Sequence, residues 1–433
     1  MQTLRRQPEK SVVLGVVVCN GLEFFDFVTY AFFAQIIGKV FFPAAAPELS
    51  LLLSVGVFGV GFIARPLGSL LIGRYADRAG RRPALLLSAI LMTLGTLGLV
   101  LTPGYAAIGI LAPILMTCFR LVQGFALGGE TGPSTAFLLE GAPPRQRAFY
   151  VALQMGSQGI ASALAGALGL VLSLSLSAQQ MLDWGWRVPF ALGTVLIPIA
   201  LALRFKMPET LARPEGIPSA PMALPWRSRQ VVLGILVIAG GTVSTYIGSY
   251  MATYGTAVLH LPPADGLQAA ILVGLTTLVG ALIGGHLADR LGRWPLMFWP
   301  RLLTAVVSMP AFAWLIAHPN AHALQAMSAA LAFLTAVTAG AVLTTICELF
   351  PAERRASALA LIYSIGVSVF GGSAQFIVTW LIGATGNPMA PAWCIAATSG
   401  AAVIATLLLP ETRDRAHSLP SQRSTTANST LFD

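Results

Sequence analysis

Runs of about 20 apolar residues recur from one end of this chain to the other, each closed by proline, glycine or a charge. At about 1.5 Å of rise per residue, such a run crosses roughly 30 Å of hydrocarbon as an α-helix. We place them near 12–38, 50–73, 83–102, 107–132, 148–175, 186–206, 230–257, 267–288, 295–317, 324–346, 356–381 and 388–410. Their apolar residues do not alternate with period two, which argues against a β-barrel. Hydrophobic residues make up 56% of the 433 and charged residues only 10%, against roughly 25% charge in a soluble domain. The expected fold is an all-α membrane protein with twelve transmembrane helices.

The chain is also duplicated. Gly73-Arg-Tyr-Ala-Asp77-Arg78-Ala-Gly80-Arg81-Arg82-Pro83 returns as Gly285-His-Leu-Ala-Asp289-Arg290-Leu-Gly292-Arg293-Trp-Pro295, after two apolar runs in each half. Glu140, Pro143 and Arg147 are answered by Glu348, Pro351 and Arg355 with identical spacing, and Pro208-Glu209-Thr210 by Pro410-Glu411-Thr412. Three matches in one order make an internal repeat, hence two pseudo-symmetric six-helix bundles over 1–206 and 230–412. A proline-rich linker, 207–229, joins them, and a tail rich in Ser and Thr, 413–433, is expected to be disordered.

Basic residues set the orientation. Arg5, Arg6 and Lys10, then Arg74, Arg78, Arg81 and Arg82, then Arg145 and Arg147 fall on one side. The same side receives Arg204 to Arg229, then Arg290, Arg293, Arg301, Arg354, Arg355, Arg413 and Arg415, while the opposite loops hold only Lys39 and Arg187. Both termini are therefore expected in the cytoplasm of a bacterium, with the chain passing many times through its inner membrane. The first run carries Glu23 and Asp26 and has no small-residue cleavage pattern, so it reads as a retained helix rather than a secretory signal.

The net charge of +9 is thus accounted for by topology, and no long basic run or aromatic platform indicates nucleic acid. No phosphate-binding loop is present, which excludes an ATP-driven pump and, with it, a nucleotide cofactor. Cys19, Cys118, Cys347 and Cys394 lie scattered in apolar runs, and His260, His286, His318 and His322 form no ligand cluster. Neither a metal site nor a catalytic centre is expected.

Charges at membrane depth cost several kcal/mol unless paired or wetted, so each marks a candidate site. In the first half these are Glu23, Asp26, Arg65, Arg120 and Glu130. The second half offers no comparable set, because Arg301, close after Pro295, can snorkel to the interface. Its contribution should be hydroxyls and shape, from Thr242, Thr245, Tyr246, Tyr250, Tyr254, Ser364, Ser368 and Gln375.

Arg120 is the first candidate for a substrate contact, since a guanidinium holds a carboxylate through two parallel hydrogen bonds. A structural ion pair with Glu23, Asp26 or Glu130 is the alternative. Glu23 and Asp26 lie one turn apart, and a carboxyl in low dielectric beside another holds its proton more tightly. That is the chemistry a proton symporter needs; neutralising Arg120 or Arg65 is the competing role. Glu130, in Gly128-Gly129-Glu130, is read either as a gating contact with Arg65 or as a second proton site. In the repeated motif, Gly73 and Gly285 allow close helix approach. Asp77 and Asp289 can pair with a basic partner or a helix end, and Arg78, Arg81, Arg290 and Arg293 anchor the edge. Such a contact holds one side of the protein closed.

These residues resemble the major facilitator superfamily, through the duplicated Asp77/Asp289 motif, Glu140-x-x-Pro-x-x-x-Arg147 with its second copy, and the Pro-Glu-Thr closures. Asn20-x-x-Glu23-x-x-Asp26-Phe, Phe62-x-x-Arg65-Pro66-x-Gly68, Arg120-Leu-x-Gln123-Gly124-Phe, Gly128-Gly129-Glu130 and Asp183-Trp184-Gly185-Trp186-Arg187 resemble its metabolite:proton symporter branch. Ala252-Thr-Tyr254-Gly255 and Phe370-Gly371-Gly372 are most similar to the citrate and tricarballylate group. The resemblance implies two six-helix bundles, a central cavity and inward symport of a small organic anion with protons through the lipid bilayer, by a monomer. It implies that Arg120 binds a substrate carboxylate, with Arg65 along the path and Gln123, Gln154, Gln158, Tyr246 and Tyr250 as supplements. Related members carry 2-oxoglutarate, shikimate, or the osmolytes proline and betaine. A membrane receptor that binds without transporting is the alternative of another class.

Overall fold

Proline accounts for two of the breaks within the long helices, at Ala64 and at Gly129 and Glu130. The computed structural model describes residues 10–44, 47–79, 81–194, 228–350 and 352–413. The first span comprises Lys10–Phe32 and Ala34–Phe41, and the second Pro47–Ile63 and Arg65–Ala79. Pro66 has no N–H for the carbonyl four residues back, and the second span is interrupted at Ala64. The third span is Arg81–Leu101; the fourth, Leu111–Gly128 and Thr131–Gly141, is interrupted at Gly129 and Glu130, where Pro133 leaves the carbonyl of Gly129 without its donor. The fifth is Arg147–Ser175, and residues 187–194 are helical where the sixth apolar run begins.

The second half runs through Ser228–Ala257, Pro263–Leu291, Arg293–Ala317 and Ala321–Glu348, the seventh to tenth spans. The eleventh is Ala352–Gly366 and Gly372–Thr385 joined by a π-helical turn at Val367–Gly371, and the twelfth is Ala390–Leu407. Among the described residues, ten helical stretches are long and apolar enough to cross a membrane, Leu86–Leu101 is a shorter one, and no strand occurs. The remainder of the sixth run, linker residues 207–227 and tail residues 414–433 lie outside the described residues; the seventh helix starts at Ser228.

Glycines set the closest helix contacts. A Cβ on Gly124 would sit 1.6 Å from the carbonyl oxygen of Gly61, and one on Gly128 2.0 Å from that of Arg65. The second and fourth spans therefore touch backbone to backbone, the close approach that small residues four apart permit within a membrane. This contact fixes Arg65 and Arg120 on neighbouring, inseparable helices. Gly159 and Gly274 play the same part between the fifth and eighth spans, where a Cβ on Gly159 would meet the Gly274 carbonyl at 2.6 Å. That contact joins the two halves. A second link is aromatic: Phe27, Phe58, Phe62 and Tyr246 cluster with ring centroids between 4.6 and 6.1 Å apart, tying the first, second and seventh spans together.

The second Pro-Glu-Thr closure has a physical role. Gly292 turns the chain between the eighth and ninth spans at φ 112°, a conformation glycine adopts without steric cost. The Glu411 carboxylate then accepts from the backbone N–H of Arg293 at 3.1 Å and of Trp294 at 2.8 Å, capping the ninth span. Partial burial pushes the Glu411 carboxyl up, but backbone N–H groups of Arg413, Trp294, Arg293 and Thr412 outweigh it and hold it below the usual carboxylate value of 4.5. A carboxyl depressed by folding adds stability above its unfolded value and loses it as pH falls through the folded one. Glu411→Gln is accordingly expected to cost about 1 kcal/mol at pH 7. The difference should shrink once the pH drops well below 4.5, which thermal unfolding of the two proteins at both pH values would show.

Candidate substrate cavity and buried carboxyl site

A cavity of about 120 Å³ lies between the halves. The first half lines it with Glu23, Phe27, Arg65, Glu130, Gln154 and Gln158, and the second with Thr242, Thr245, Tyr246, Arg301, Thr338 and Tyr363. Of the substrate residues expected from sequence, Arg65, Gln158 and Tyr246 reach this wall, whereas Arg120, Gln123 and Tyr250 do not. Among the expected acids, Glu23 and Glu130 line the cavity and Asp26 does not. Glu23 and Asp26 thus occupy different surroundings although one helical turn separates them.

Asp26 turns toward the third and fourth spans. Its Oδ2 accepts from Thr96 Oγ1 at 2.8 Å and from Gln123 Nε2, and Gln123 Oε1 in turn accepts from Arg120 Nη1 at 2.9 Å. Gln123 bridges acid and base by pointing its two amide ends at opposite charges. Asp26 is 3% exposed and Arg120 2%. Asp26 Oδ1, Arg120 Nε and Arg120 Nη2 have no hydrogen-bond partner. The Arg120 guanidinium instead lies 3.7 Å from the centre of the Tyr30 ring, a cation–π contact. This placement differs from the expected direct contact with substrate, and the cause is the aromatic cluster. The Phe27 ring lies 6.0 Å from Arg120 and 5.1 Å from Arg65. Arg65 also covers the Phe62 ring at 4.0 Å.

Arg301 corrects a sequence expectation. It does not snorkel to an interface: it is 2% exposed, lines the cavity, and donates to Gly240 O at 3.0 Å, Ser244 Oγ at 3.3 Å and Thr338 Oγ1 at 2.8 Å. The ninth helix begins at Arg293, so Arg301 sits roughly 12 Å along it, too deep to reach out. That count was available in the sequence. Thr96 and Tyr30, neither of them charged, carried no comparable signal. Tyr250 is occupied elsewhere, accepting from Thr379 at 2.9 Å, and the Tyr254 hydroxyl donates to Pro388 O.

The second copy of the repeated motif lies at the arginine-rich end. Asp289 accepts from the backbone N–H groups of Ala148 and Phe149 at 3.0 and 2.9 Å, capping the fifth span across the boundary between the halves. Gly285 makes room for this, since a Cβ there would fall 2.9 Å from Phe149 Cα. Arg293 pairs with Asp289 at 3.0 Å and with Glu348 at 3.5 Å, and Arg147 approaches Glu348 at 3.8 Å. Arg355 Nε donates to Cys347 O, the Arg290 carbonyl accepts from Arg413, and Glu140 is exposed. The first copy, with Gly73, Asp77, Arg78 and Arg81, has its side chains outside the described residues.

A sequence profile of the Major Facilitator Superfamily matches residues 16–362. The chain belongs to this family. Within the superfamily, it is 35% identical over 405 residues to the citrate-proton symporter of Salmonella typhi, covering 92% of this chain and 93% of that one. It is 34% identical to the alpha-ketoglutarate permease of Escherichia coli K12, covering 84% and 85%. The fold matches the xylose transporter XylE of E. coli in a partially occluded inward-open conformation. The TM-score is 0.73 at 18% identity, covering 93% of this chain and 98% of that one. The chain is a multi-pass membrane protein of a family of transporters.

Proposed function

We propose that this chain is a proton-coupled symporter that imports a small organic carboxylate, citrate or a related tricarboxylate, by alternating access of the bundles 1–206 and 230–412. The observation that carries the reading is Asp26: a buried carboxyl with an unpartnered oxygen, tied through Gln123 to Arg120 and adjacent in sequence to Phe27, which lines the cavity. A proton on Asp26 removes the negative end of the bridge. Gln123 then loses its charged acceptor and Arg120 its counter-charge. Phe27, between the two arginines, transmits the rearrangement to Arg65 at the cavity wall. Arg65 meets a substrate carboxylate there, and Gln158 and Tyr246 supply further hydrogen bonds. The likeness to a citrate-proton symporter supports a tricarboxylate over other anions.

The Asp289, Arg293, Glu348 and Arg147 contacts form the gate at the arginine-rich end, which the charge bias of the loops assigns to the cytoplasm. Both termini then lie in the cytoplasm and the bilayer is the bacterial inner membrane, with the monomer as the working unit. The test is uptake of labelled citrate into proteoliposomes under an imposed inward proton gradient, with tricarballylate, 2-oxoglutarate, shikimate and betaine as competitors. Gradient-driven accumulation blocked by tricarballylate is expected. Competition by betaine alone would point to an osmolyte symporter, and citrate binding without uptake to a receptor.

A further inference from the structure

The cavity holds a buried cation on the second half whose hydrogen bonds all go to uncharged oxygens. Arg301 donates to one carbonyl and two hydroxyls, using three of its five N–H groups by the count of bonds made. The ion pairs Arg147–Glu348, Arg293–Asp289 and Arg293–Glu348 lie at the arginine-rich end and do not involve it. A guanidinium held away from water and hydrogen-bonded only to uncharged oxygens gains from an arriving anion, and the carboxylates that share the cavity, Glu23 and Glu130, belong to the first half.

The local structure is shaped to present this group. Arg301 lies against the Gly240-Gly241 step of the seventh span, where a Cβ on Gly241 would come 3.3 Å from its Nη2. Ser244, one turn further along, and Thr338 of the tenth span hold the two ends of the guanidinium. Thr338 Oγ1 donates onward to Thr335 O at 2.8 Å, which leaves its lone pairs directed at Arg301. Three helices thus hold the fork in place, and Arg65 faces the same cavity from the other half.

We infer that Arg301 is a substrate-binding residue, the second arm of a two-arginine clamp that takes one carboxylate of a polycarboxylate while Arg65 takes another. The inference rests on the carboxylate-symporter reading and deepens it. A ligand with two or more separated carboxylates satisfies both arms and draws the halves together, whereas a monocarboxylate or a zwitterion satisfies one. Ser244 and Thr338 are positioning residues.

The test is calorimetric binding of citrate, tricarballylate and acetate to purified full-length protein, wild type and Arg301→Gln, with thermal unfolding measured alongside. Arg301→Gln is expected to weaken citrate about 100-fold while leaving the much weaker acetate binding within about threefold, a change of selectivity that loss of packing alone does not produce. Arg301→Lys should recover part of the citrate affinity without the planar fork. Unchanged citrate binding by Arg301→Gln, with wild type binding normally, overturns the clamp and leaves the symporter reading intact. Wild type that binds none of the carboxylates overturns the reading itself, and the clamp with it. Should Arg301→Gln fail to fold, Thr338→Val keeps the arginine and loosens its anchor. About tenfold weaker citrate binding at an unchanged unfolding temperature is then expected, and full affinity overturns the clamp.

Discussion

Asp26→Asn is expected to abolish proton-driven accumulation of citrate while leaving citrate exchange in place. The asparagine fills the same volume and keeps an oxygen for Thr96 Oγ1 and Gln123 Nε2, the two donors that Asp26 receives. What it removes is the ability to alternate between charged and neutral. Each pH unit of gradient is worth about 1.4 kcal/mol per proton, a tenfold concentration ratio. A carrier that cannot load the proton forfeits that ratio, and labelled citrate inside proteoliposomes falls to the level its own gradient supports. Counterflow of labelled against unlabelled citrate should persist, because the cavity wall does not include Asp26. Full accumulation by the variant would remove Asp26 from the coupling role and turn attention to Glu23 and Glu130, which line the cavity.

The architecture was legible because the bilayer imposes so few solutions. Apolar runs of one length, a repeated Gly-x-x-x-Asp-Arg motif and one-sided arginines leave little besides a bundle of helices. Charges at depth were equally visible: Glu23, Arg65 and Glu130 line the cavity, and Asp26 and Arg120 are buried. What the sequence could not rank was which of them faces the cavity. Phe27 lines the cavity with its ring 6.0 Å from Arg120, whereas Asp26 and Arg120 do not reach the wall, and nothing in a phenylalanine next to an aspartate signals that difference. Gln123 is similar: an amide reads as a substrate donor until its two ends are found on Arg120 and Asp26. Arg301 differs for another reason, the snorkelling expectation reckoning its depth from Pro295 rather than from the start of its helix at Arg293.

The largest effect on assembly is expected from Gly124→Ala. An added Cβ would lie 1.6 Å from the carbonyl oxygen of Gly61 and 2.5 Å from its carbon. Both are backbone atoms, so no side chain can swing aside, and the second and fourth helices must separate. Overpacking a tight core typically costs 1–3 kcal/mol, and a clash between two backbones belongs at about 3 or above. The consequence reaches function through position. Arg65 and Arg120 stand on the two helices that this contact fuses, and Gly128 repeats it one turn later against the Arg65 carbonyl. Forcing the helices apart moves Arg65 relative to Phe27 and weakens the link between the Asp26 bridge and the cavity wall. Gly124→Ala should therefore lower the unfolding temperature and, in any protein that inserts, reduce coupled uptake more than citrate exchange. Gly400→Ala is the control, since a Cβ there meets nothing within 4 Å. Equal stability of the two variants would mean that the second and fourth spans are not held together by this contact. The rigid spacing of Arg65 and Arg120 would then rest on the other close contacts of the same two helices, where a Cβ on Gly68 would fall 1.9 Å from the Phe125 carbonyl oxygen and one on Gly128 2.0 Å from that of Arg65.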